Sequence, residues 1–298
     1  MNSNISAIIV AKDNPPHIFE TINSIKDFVS EIIIVDIGIS KELKSKLRQN
    51  SINQLIEVNE NITHVELIRE KTKQYTKYNY LLFLDPDEIV PEKLIHLLKK
   101  EVANYDYFSI PRKNIIFNKW IENSRWWPDY QIRLFKKDKV NWPTEIHKQP
   151  LTSGKEFKVP VSEDLAITHY NYKNIDEYFS KFTRYAKAEA YNSQHLTLNE
   201  TIKKSVSEFI SRYFANNGYK DGMHGFTLAI FQMFYPLLVY FYFWETKKYI
   251  EKDEASLPIK SQQFFKQGFI EINHWLINKK IINKIKSVKT KIINYLLK

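Results

Sequence analysis

The sequence predicts an α/β protein, with a parallel sheet flanked by helices and a helical region after it. Three observations indicate this fold class. Short apolar segments with the length of strands alternate with amphipathic segments with the length of helices over roughly the first third of the chain. Acidic residues follow several of the apolar segments. The final part of the chain, in contrast, joins a long apolar run to a lysine-rich tail.

The elements of the first region alternate in a regular order. Strands are predicted over residues 5–11, 31–36, 55–58 and 80–84, and helices over residues 17–28, 41–50 and 65–77. The longer strands are apolar on both sides, which predicts burial on both faces of a sheet. The first helix carries Ile18, Ile22 and Ile25 along one side, which predicts packing against that sheet. This order of elements is typical of a parallel sheet with helices on both faces.

Acidic side chains lie where the predicted parallel strands end. Asp13 follows the first strand, Asp36 ends the second, and Asp85 and Asp87 follow the fourth. The carboxyl ends of parallel strands share one edge of a sheet, and open α/β sheets bind their ligands outside that edge. We therefore expect these acids to lie near a bound ligand. For Asp36 alone, the residues leave open both a contact with a nucleoside and an ordinary cap at a strand end.

The segment Asp85-Pro86-Asp87-Glu88 places three carboxylates within four positions. Pro86 fixes its own φ angle and disfavours a helical conformation at Asp85, so the turn is predicted to be stiff. Carboxylate oxygens suit Mg²⁺ or Mn²⁺ that carries substrate phosphates, and one carboxylate can bind the metal while the other contacts a sugar. The alternative is a solvated acidic turn in front of the next helix.

A second polar set alternates with apolar residues from 129 to 135. Asp129, Gln131 and Arg133 have a period of two, which places them on one face of a strand. An acid, an amide and a guanidinium on one face suit a bound sugar, with Asp129 as a candidate general base. The alternative is an edge strand with a solvated face. Glu145 and His147 share a face further along the chain, and His147 is either a ligand or a structural histidine.

Composition narrows the function classes. The chain contains no cysteine, which excludes disulfides and thiolate metal sites and is compatible with a reducing cytoplasm. Neither a G-x-G-x-x-G nor a G-x-x-x-x-G-K-[ST] segment occurs, so we expect neither a dinucleotide-binding site nor a P-loop kinase.

The N-terminus lacks the basic region of a signal peptide, and we expect no secretion. A net charge of +10 favours a polyanionic partner: a nucleic acid, an anionic membrane or a phosphorylated substrate.

The C-terminal region has three features. Residues 218–225 are rich in glycine and predict a flexible joint. Residues 226–244 form the most apolar run, whose aromatic content favours a helix in the surface of a membrane over a complete span. Residues 281–297 place aliphatic residues at helical spacing among lysines, and residues 279–298 contain seven lysines and no acid, which suits anionic lipid. The alternatives are a core helix for the first segment and, for the second, a helix packed on its own domain.

Taken in order, these motifs resemble those of family-2 glycosyltransferases with the GT-A fold, in particular bacterial lipopolysaccharide-core and surface-polysaccharide enzymes. The resembling segments lie at 5–13, 33–36, 84–88, 111–114, 127–135, 145–147, 169–170 and 225–245 and cover most of the chain. The aspartate-x-aspartate pair is weakly specific by itself, whereas the ordered set is much more specific. The resemblance implies a GT-A catalytic domain over 1–172, with a Rossmann-like, mixed and mainly parallel sheet. Together with the patterns described above, it leads us to expect a C-terminal helical, membrane-associating region over 173–298, with an apolar helix at 226–244 and a basic amphipathic tail at 279–298.

The resemblance also implies an activity and roles for individual residues. The activity is transfer of a sugar from a nucleotide-diphosphate donor to an acceptor hydroxyl, with inversion and with Mn²⁺ or Mg²⁺ as cofactor. The residues implied in donor binding are Asp13, Asp36, Asp85 and Arg133. The candidate catalytic bases are Asp129 and, second, Glu145. The residues implied in holding the metal or its diphosphate are Asp87, His147 and His169.

We accordingly expect three partners: a nucleotide-diphosphate sugar, a glycan or lipid-linked acceptor, and an anionic membrane surface. We expect no nucleic acid, and a cytoplasmic location at the inner face of the membrane. Two other functions stay open. Nucleotidyl transfer is a second GT-A chemistry, although residues 12–16 make a poor signature loop for it. Non-catalytic nucleic-acid binding fits the charge and the aromatic content, although the basic residues concentrate in the tail and no RRM, KH or zinc pattern occurs.

Overall fold

The computed structural model describes residues 3–50, 52–58, 62, 65–143, 149–250 and 256–297. The strands are β1 Ser3–Asp13, β2 Val29–Ile39, β3 Gln54–Glu57, β4 Tyr80–Leu84, β5 Glu88–Ile89, β6 Tyr107–Ile116, β7 Lys119–Trp120, β8 Asp129–Lys136, β9 Val140–Asn141, β10 Leu151–Thr152, β11 Glu156–Lys158 and β12 Ile167–Tyr172. The α-helices are α1 Ile18–Ile25, α2 Lys41–Arg48, α3 Glu66–Thr72, α4 Glu92–Glu101, α5 Ile175–Asn192, α6 Leu198–Phe209, α7 Met223–Thr246, α8 Leu257–Asn278 and α9 Lys284–Leu297.

The chain divides into two compact units. The first contains residues 1–115 and 128–171, and the second contains residues 116–127 and 172–298. The domain boundary expected from the sequence, after residue 172, lies beside one of these divisions. The sequence pattern gave no sign that the short segment 116–127 groups with the helices of the second unit.

The first unit is built around one mixed sheet with the strand order β3-β2-β1-β4-β8-β6-β12-β5. β1 lies between β2 and β4 and is parallel to both, with Ala7 opposite Ile32 on one side and Leu82 on the other. β2 is also parallel to β3. β8 runs antiparallel to β4 and to β6, and β12 runs antiparallel to β5. The predicted α/β fold with a mixed, mainly parallel sheet is thus confirmed: β3, β2, β1 and β4 are parallel neighbours, and β11 pairs in parallel with β6.

Helices cover both faces of this sheet. On one face, β1 contributes Ile5, Ala7 and Ile9 to an apolar cluster that also contains residues of α1, α2 and α4. On the other face, Ile8 and Val10 pack with residues of α3. Burying an isoleucine side chain stabilises a fold by about 1.5–3 kcal/mol, so a strand that is apolar on both sides favours helices on both sides. The carboxyl ends of β1, β2 and β4 meet at one edge of the sheet.

The second strand is longer than the sequence pattern predicts. We expected it to end at Asp36, but β2 continues to Ile39. The Asp36 Oδ1 atom accepts hydrogen bonds from the backbone N–H groups of Gly38, at 2.7 Å, and Ile39, at 2.8 Å. A shift in the β1–β2 register after Ala11 then lets Asp13 pair with Ile39. Asp36 therefore shapes the end of the strand without terminating it.

The second unit has an aromatic core between α5 and α7. Tyr178 and Phe182 of α5 are buried with Leu228 of α7, and Phe231 packs against them. Gln232 donates a hydrogen bond to the Tyr178 hydroxyl at 2.9 Å. Burial disfavours the charged form of this phenol and raises the pKa of Tyr178 to about 12. The hydroxyl consequently stays protonated at any physiological pH, and it serves as a neutral hydrogen-bonding group in the core.

The predicted flexible joint is instead a tightly packed turn. Gly218–Asp221 forms a 3-10 turn, and Gly225 lies in the first turn of α7. A Cβ atom on Gly225 would lie 1.8 Å from the carbonyl oxygen of Gly218. Asp221 is buried there and accepts hydrogen bonds from the backbone N–H of Asn123 at 3.0 Å and from its Nδ2 at 3.2 Å. Glycine is required at position 225 because the two backbones approach closely, and residues 218–225 form a packed turn where the sequence predicted a joint.

One further property of α7 bears on the membrane prediction. Within the part of the chain that the structure describes, α7 is the one helix long and apolar enough to cross a membrane. Its most apolar window has a mean hydropathy of 1.6, and 28% of that window is buried. Core helices of soluble proteins satisfy the same criteria of length and composition, so α7 by itself does not choose between a span, a surface helix and a core helix.

Candidate active site

The turn after β4 places the first group of predicted site residues. β4 is buried from Leu81 to Leu84, and the chain leaves the sheet at Asp85. The backbone N–H of Glu88 donates to the Asp85 carbonyl at 3.1 Å, and the backbone N–H of Asp85 donates to the Glu88 carboxylate at 3.1 Å. These two reciprocal hydrogen bonds close the turn around Pro86 and fix the direction in which the carboxylates leave the sheet.

Three arginines surround the acids of this turn. Arg133 of β8 donates to the Asp85 Oδ2 atom at 2.5 Å and also contacts the Glu88 carboxylate. Arg69 of α3 donates to the Asp85 Oδ1 atom at 3.2 Å. Arg112 of β6 donates to the Glu88 Oε1 atom at 3.0 Å and lies 3.7 Å from the Asp85 Oδ2 atom. The sequence predicted Arg133 for this site, whereas it gave Glu88, Arg69 and Arg112 no role.

These contacts keep both the carboxylate of Asp85 and the guanidinium group of Arg133 charged. Burial raises the pKa of Asp85, but the guanidinium groups of Arg133, Arg69 and Arg112 lower it more and hold the pKa of that carboxyl well below its usual range. Burial lowers the pKa of Arg133, but Asp85 and Glu88 more than offset this, so the pKa of Arg133 is raised. The side chain of Arg133 is only 2% exposed. Asp85 is therefore an anion held by cations, which argues against the solvated acidic turn.

Asp129 at the start of β8 is a second anion in the same network. Its Oδ2 atom accepts hydrogen bonds from Arg112 Nη2 at 2.6 Å and Asn114 Nδ2 at 3.1 Å, and its Oδ1 atom accepts one from Gln131 Nε2 at 2.8 Å. The contact between Asp129 and Gln131 agrees with their predicted position on one face of the strand. Burial raises the pKa of Asp129, but Arg112, Asn114 and Gln131 lower it more. Asp129 is thus ionised at neutral pH.

His169 and Asp87 form the part of the site that suits a metal. The backbone N–H of Tyr170 donates to the Asp87 carbonyl at 2.9 Å, which holds β12 beside the turn. His169 Nε2 lies 3.6 Å from Asp87 Oδ1, and His169 Nδ1 lies 2.7 Å from Asn114 Oδ1. Because Asn114 uses its amide nitrogen to donate to Asp129, its oxygen faces the imidazole and assigns the proton to Nδ1. In the neutral imidazole, the lone pair of Nε2 then faces Asp87.

The donor set of Asp87 and His169 fits a divalent cation only in part. An imidazole nitrogen beside a carboxylate oxygen can bind one metal, and the Asn114 contact resembles the hydrogen bonds that orient metal-binding histidines. Among the residues that the structure describes, no group of three or more His, Cys, Asp or Glu is arranged to hold a metal. A metal here would take its other ligands from diphosphate oxygens and water. Glu145 and His147 belong to residues 144–148, which lie outside the described residues.

Comparisons with known proteins give weak likenesses. No protein-family model matches the chain. The solved structures that are similar to it include S. aureus TarS, at 14% identity and a TM-score of 0.42 over 74% of this chain and 45% of that chain. The bifunctional IspDF from Campylobacter jejuni has 12% identity and a TM-score of 0.36 over 55% of this chain and 51% of that chain. The chain thus spans about half the length of each of these two structures.

A third similar structure is glucosyl-3-phosphoglycerate synthase from Mycobacterium tuberculosis, in complex with Mn²⁺, UDP and glucosyl-3-phosphoglycerate. It has 12% identity and a TM-score of 0.40 over 62% of this chain and 77% of that chain. At these TM-scores, the likenesses carry no argument about the activity of this chain.

Asp36 and Asp13 lie at the same edge of the sheet. Asp36 is buried, and its Oδ2 atom lies 2.6 Å from Lys44 Nζ, in addition to the bonds that Oδ1 accepts from Gly38 and Ile39. Burial raises the pKa of Asp36, but Lys44 and the two backbone N–H groups lower it more. Both carboxylate oxygens therefore have a local role as a cap. Asp13 is exposed at the end of β1 with a φ angle of 57°. The contacts of Asp13 and Asp36 with a donor stay predictions.

Arg69 and Trp142 form a contact beside Asp85 that sequence reasoning missed. The guanidinium carbon of Arg69 lies 4.7 Å from the centroid of the Trp142 ring, a favourable cation–π arrangement. The backbone N–H of Trp142 donates to the Glu70 carboxylate at 2.9 Å, which ties α3 to the segment after β9. A small recess next to this contact is lined in part by Arg69, Phe83 and Asp85. No local sequence pattern predicts this contact, because Arg69 and Trp142 are far apart in the sequence.

Proposed function

We propose that the chain is a glycosyltransferase that moves a sugar from a nucleotide-diphosphate donor to an acceptor hydroxyl. The observation that carries the proposal is the network of acids and arginines, with His169 beside Asp87, at the carboxyl edge of the parallel strands. Open α/β sheets bind ligands at that edge. Guanidinium groups bind phosphate oxygens in a bidentate manner, and carboxylate ligands suit a metal that carries a diphosphate.

Charge on the leaving diphosphate has to be relieved in such a transfer. Arg69 and Arg112 are partly exposed, and each guanidinium has five N–H donors, so each can contact a diphosphate while it keeps its carboxylate partner. Arg133 is buried, and we assign it to positioning Asp85 and Glu88. A bound Mn²⁺ or Mg²⁺, held by Asp87 and His169, would supply further positive charge next to the leaving group.

Asp129 is the candidate base. Its Oδ1 atom receives the bond from Gln131 and keeps a lone pair that can accept the proton of an acceptor hydroxyl. In the proposed step, the acceptor oxygen bonds to the anomeric carbon, the bond to the diphosphate breaks, and the hydroxyl proton passes to Asp129. A single displacement of this kind inverts the anomeric configuration. The lowered pKa of Asp129 keeps the carboxylate ionised, although it also makes this group a weaker base. Glu145 is the second candidate.

The finer assignment rests on the ordered motifs of the sequence. We propose family-2, hexosyl-type transfer that depends on Mn²⁺ or Mg²⁺. The proposed acceptor is a lipid-linked or cell-surface glycan. The proposed location is peripheral, at the cytoplasmic face of a membrane, and the lysine-rich tail supports it.

A donor panel tests the proposal. The purified full chain is incubated with UDP-, GDP-, ADP- and dTDP-sugars and with Mn²⁺ or Mg²⁺, and the release of nucleotide is measured. Asp87→Asn is compared with Asp138→Asn, which changes an exposed aspartate beyond the opposite end of β8. We expect turnover of at least one donor by the native chain and by Asp138→Asn, and a rate at least about 100-fold lower for Asp87→Asn.

Two outcomes would contradict the proposal. One is the absence of turnover with every donor, and the other is an equal rate for the two variants. Release of inorganic diphosphate from a nucleoside triphosphate and a sugar phosphate would instead indicate nucleotidyl transfer.

A further inference from the structure

The C-terminal helix α9 faces its neighbour α8 with polar residues. Asn273 Nδ2 of α8 donates a hydrogen bond to Asn294 Oδ1 of α9 at 2.8 Å, and Asn294 Nδ2 donates to the carbonyl of Ile270 at 3.2 Å. Asn273 is buried. Thr290 and Ser287, which lie one and two turns before Asn294 on the same side of the helix, are half-buried. The side that α9 packs on its own unit is therefore polar.

The opposite side of α9 is an exposed apolar stripe made of Ile285, Val288, Ile292 and Leu296. The spacing of three and four positions aligns these side chains along one side of the helix. Their exposed fractions are 73%, 58%, 55% and 76%. A helix of a soluble domain normally buries its apolar side and exposes its polar side. α9 does the reverse, and a contiguous aliphatic surface of this kind marks an interaction site.

Lysines accompany the apolar stripe. Lys286, Lys289 and Lys291 alternate with its members along α9, and residues 279–298 contain seven lysines and no acid. Aliphatic side chains bordered by cations complement the surface of an anionic bilayer, which offers hydrocarbon beneath a layer of phosphates. A second copy of the chain fits less well, because pairing two stripes would bring two sets of lysines together.

We propose that α9 binds an anionic lipid surface. The apolar stripe lies at the boundary between headgroups and acyl chains, and the lysines contact lipid phosphates. The hydrogen bonds of Asn294 with α8 hold the helix with its stripe turned outward, so no unfolding is needed before binding. This inference does not depend on the proposed transfer reaction, because lipid binding requires neither a sugar donor nor an acceptor.

Vesicle sedimentation tests the proposal with the full chain. Vesicles of phosphatidylcholine are compared with vesicles that contain about one third phosphatidylglycerol, and each lysine near the anionic surface should strengthen binding by about fivefold. The stripe variant is Val288→Asn/Ile292→Asn. Its matched control is Val161→Asn/Ile175→Asn, since Val161 and Ile175 are exposed to a similar degree, 54% and 52%. We expect the native chain and the control to bind anionic vesicles alike, and the stripe variant to bind at least about 30-fold more weakly.

A second measurement uses the absence of cysteine in the chain. A single cysteine can be labelled specifically with an environment-sensitive dye, at Ile292→Cys in the stripe and at Val161→Cys as a control. We expect anionic vesicles to shift the emission to the blue for the first label only. This experiment needs no apolar-to-polar change, so it holds even where the double variant folds poorly.

Several results would overturn the proposal. In the sedimentation experiment, they are a native chain that does not bind anionic vesicles, a native chain that binds the two kinds of vesicle equally, and a folded stripe variant that binds as well as the native chain. In the labelling experiment, the contrary result is an equal emission shift at the two labels. A native dimer that the stripe variant converts to a monomer, with lipid binding unchanged, would assign the stripe to self-association instead.

Discussion

Asp85 and Asp87 occupy equivalent places in the sequence motif but have different surroundings. The sequence suggested that one carboxylate holds a metal and the other contacts a sugar. Asp85 instead receives hydrogen bonds from Arg133 and Arg69, whereas Asp87 faces His169 Nε2 at 3.6 Å. We therefore expect substitution of Asp85 to reduce mainly the stability of the fold, and substitution of Asp87 to reduce mainly the activity.

Asp85→Asn should lower the free energy of unfolding by about 3 kcal/mol at neutral pH, because guanidinium groups at the edge of the core lose their anion. Folding lowers the pKa of Asp85, so the unfolded state binds more protons near pH 4. The contribution of the native carboxylate is therefore complete above about pH 5, and it is lost as the pH falls below about 4 towards the folded pKa. Urea unfolding at several pH values measures both effects.

The control for that series is Asp138→Asn, at an exposed turn position. Its effect should stay within about 0.5 kcal/mol. Two results would contradict the charge network described for this turn. One is an Asp85→Asn variant as stable as the native chain at neutral pH. The other is a difference in the free energy of unfolding between the two that grows on acidification.

Asp129→Asn should lower the rate of sugar transfer by about 100-fold or more, if the carboxylate is the base. Because the pKa of Asp129 is lowered, the rate for the native chain should decrease only below about pH 4. A histidine base with an ordinary pKa would instead give a decrease below about pH 6.5. The pH profile of kcat/KM with the preferred donor separates the two cases. A decrease near pH 6.5 that persists in Asp129→Asn would exclude Asp129 as the base.

Part of this site could be predicted from local sequence. The period of two in β8 predicted that Asp129, Gln131 and Arg133 share a face, and the 2.8 Å contact between the first two agrees with that arrangement. The β6–β8 register shifts between Phe108 and Ser109, so the alternation is interrupted at Arg133. Arg69 could not be predicted in the same way. It lies on α3 among other charged residues, and only the packing of α3 beside β4 brings it to Asp85. Arg112 likewise needs the β6–β8 pairing, which sets it opposite Asp129.

Apolar patterns predicted the existence of the strands better than their ends. β1 and β4 are apolar on both faces, and both appear where they were expected. The end of β2 depends instead on hydrogen bonds that the backbone N–H groups of Gly38 and Ile39 donate to the Asp36 carboxylate, and the strand continues beyond its predicted end. A side-chain contact of this kind has no periodic signal in the sequence.

Gly225→Ala tests the structure of residues 218–225. A flexible joint and a packed turn predict changes of opposite sign in the free energy of unfolding. If residues 218–225 were a flexible joint leading into α7, alanine at position 225 would favour the helix and raise the free energy of unfolding by about 1 kcal/mol. In the structure, the added Cβ would lie 1.8 Å from the Gly218 carbonyl oxygen. We therefore expect a loss of about 2–3 kcal/mol, as for other overpacked sites, and a lower Tm by differential scanning calorimetry.

Gly222→Ala is the comparison for this test. Gly222 has a φ angle of 64° and open space around its Cβ position, so alanine there should cost about 1 kcal/mol from backbone strain alone. A Gly225→Ala variant that is as stable as the native chain, or more stable than Gly222→Ala, would show that the close approach at Gly218 is absent.

The placement of the net charge of +10 along the chain is more informative about a partner than its sum. The three arginines of the candidate site are paired with Asp85, Glu88 and Asp129. The tail at 279–298, in contrast, has lysines and no acid. A block of lysines without a neighbouring acid in the sequence thus accompanies the apolar stripe of α9.

We therefore expect only weak binding to nucleic acid. A nucleic acid offers phosphates to the lysines but no hydrocarbon to Ile285 or Leu296, so it leaves the apolar stripe in water. Fluorescence anisotropy with a labelled strand of about 20 nucleotides at physiological salt should give a Kd no tighter than about 10 μM, and higher salt should weaken it steeply. Val288→Asn/Ile292→Asn keeps every lysine, so it should bind the strand like the native chain while it loses binding to anionic vesicles. Nanomolar binding at physiological salt, or binding that requires the stripe, would contradict this expectation and would favour a nucleic-acid-binding role.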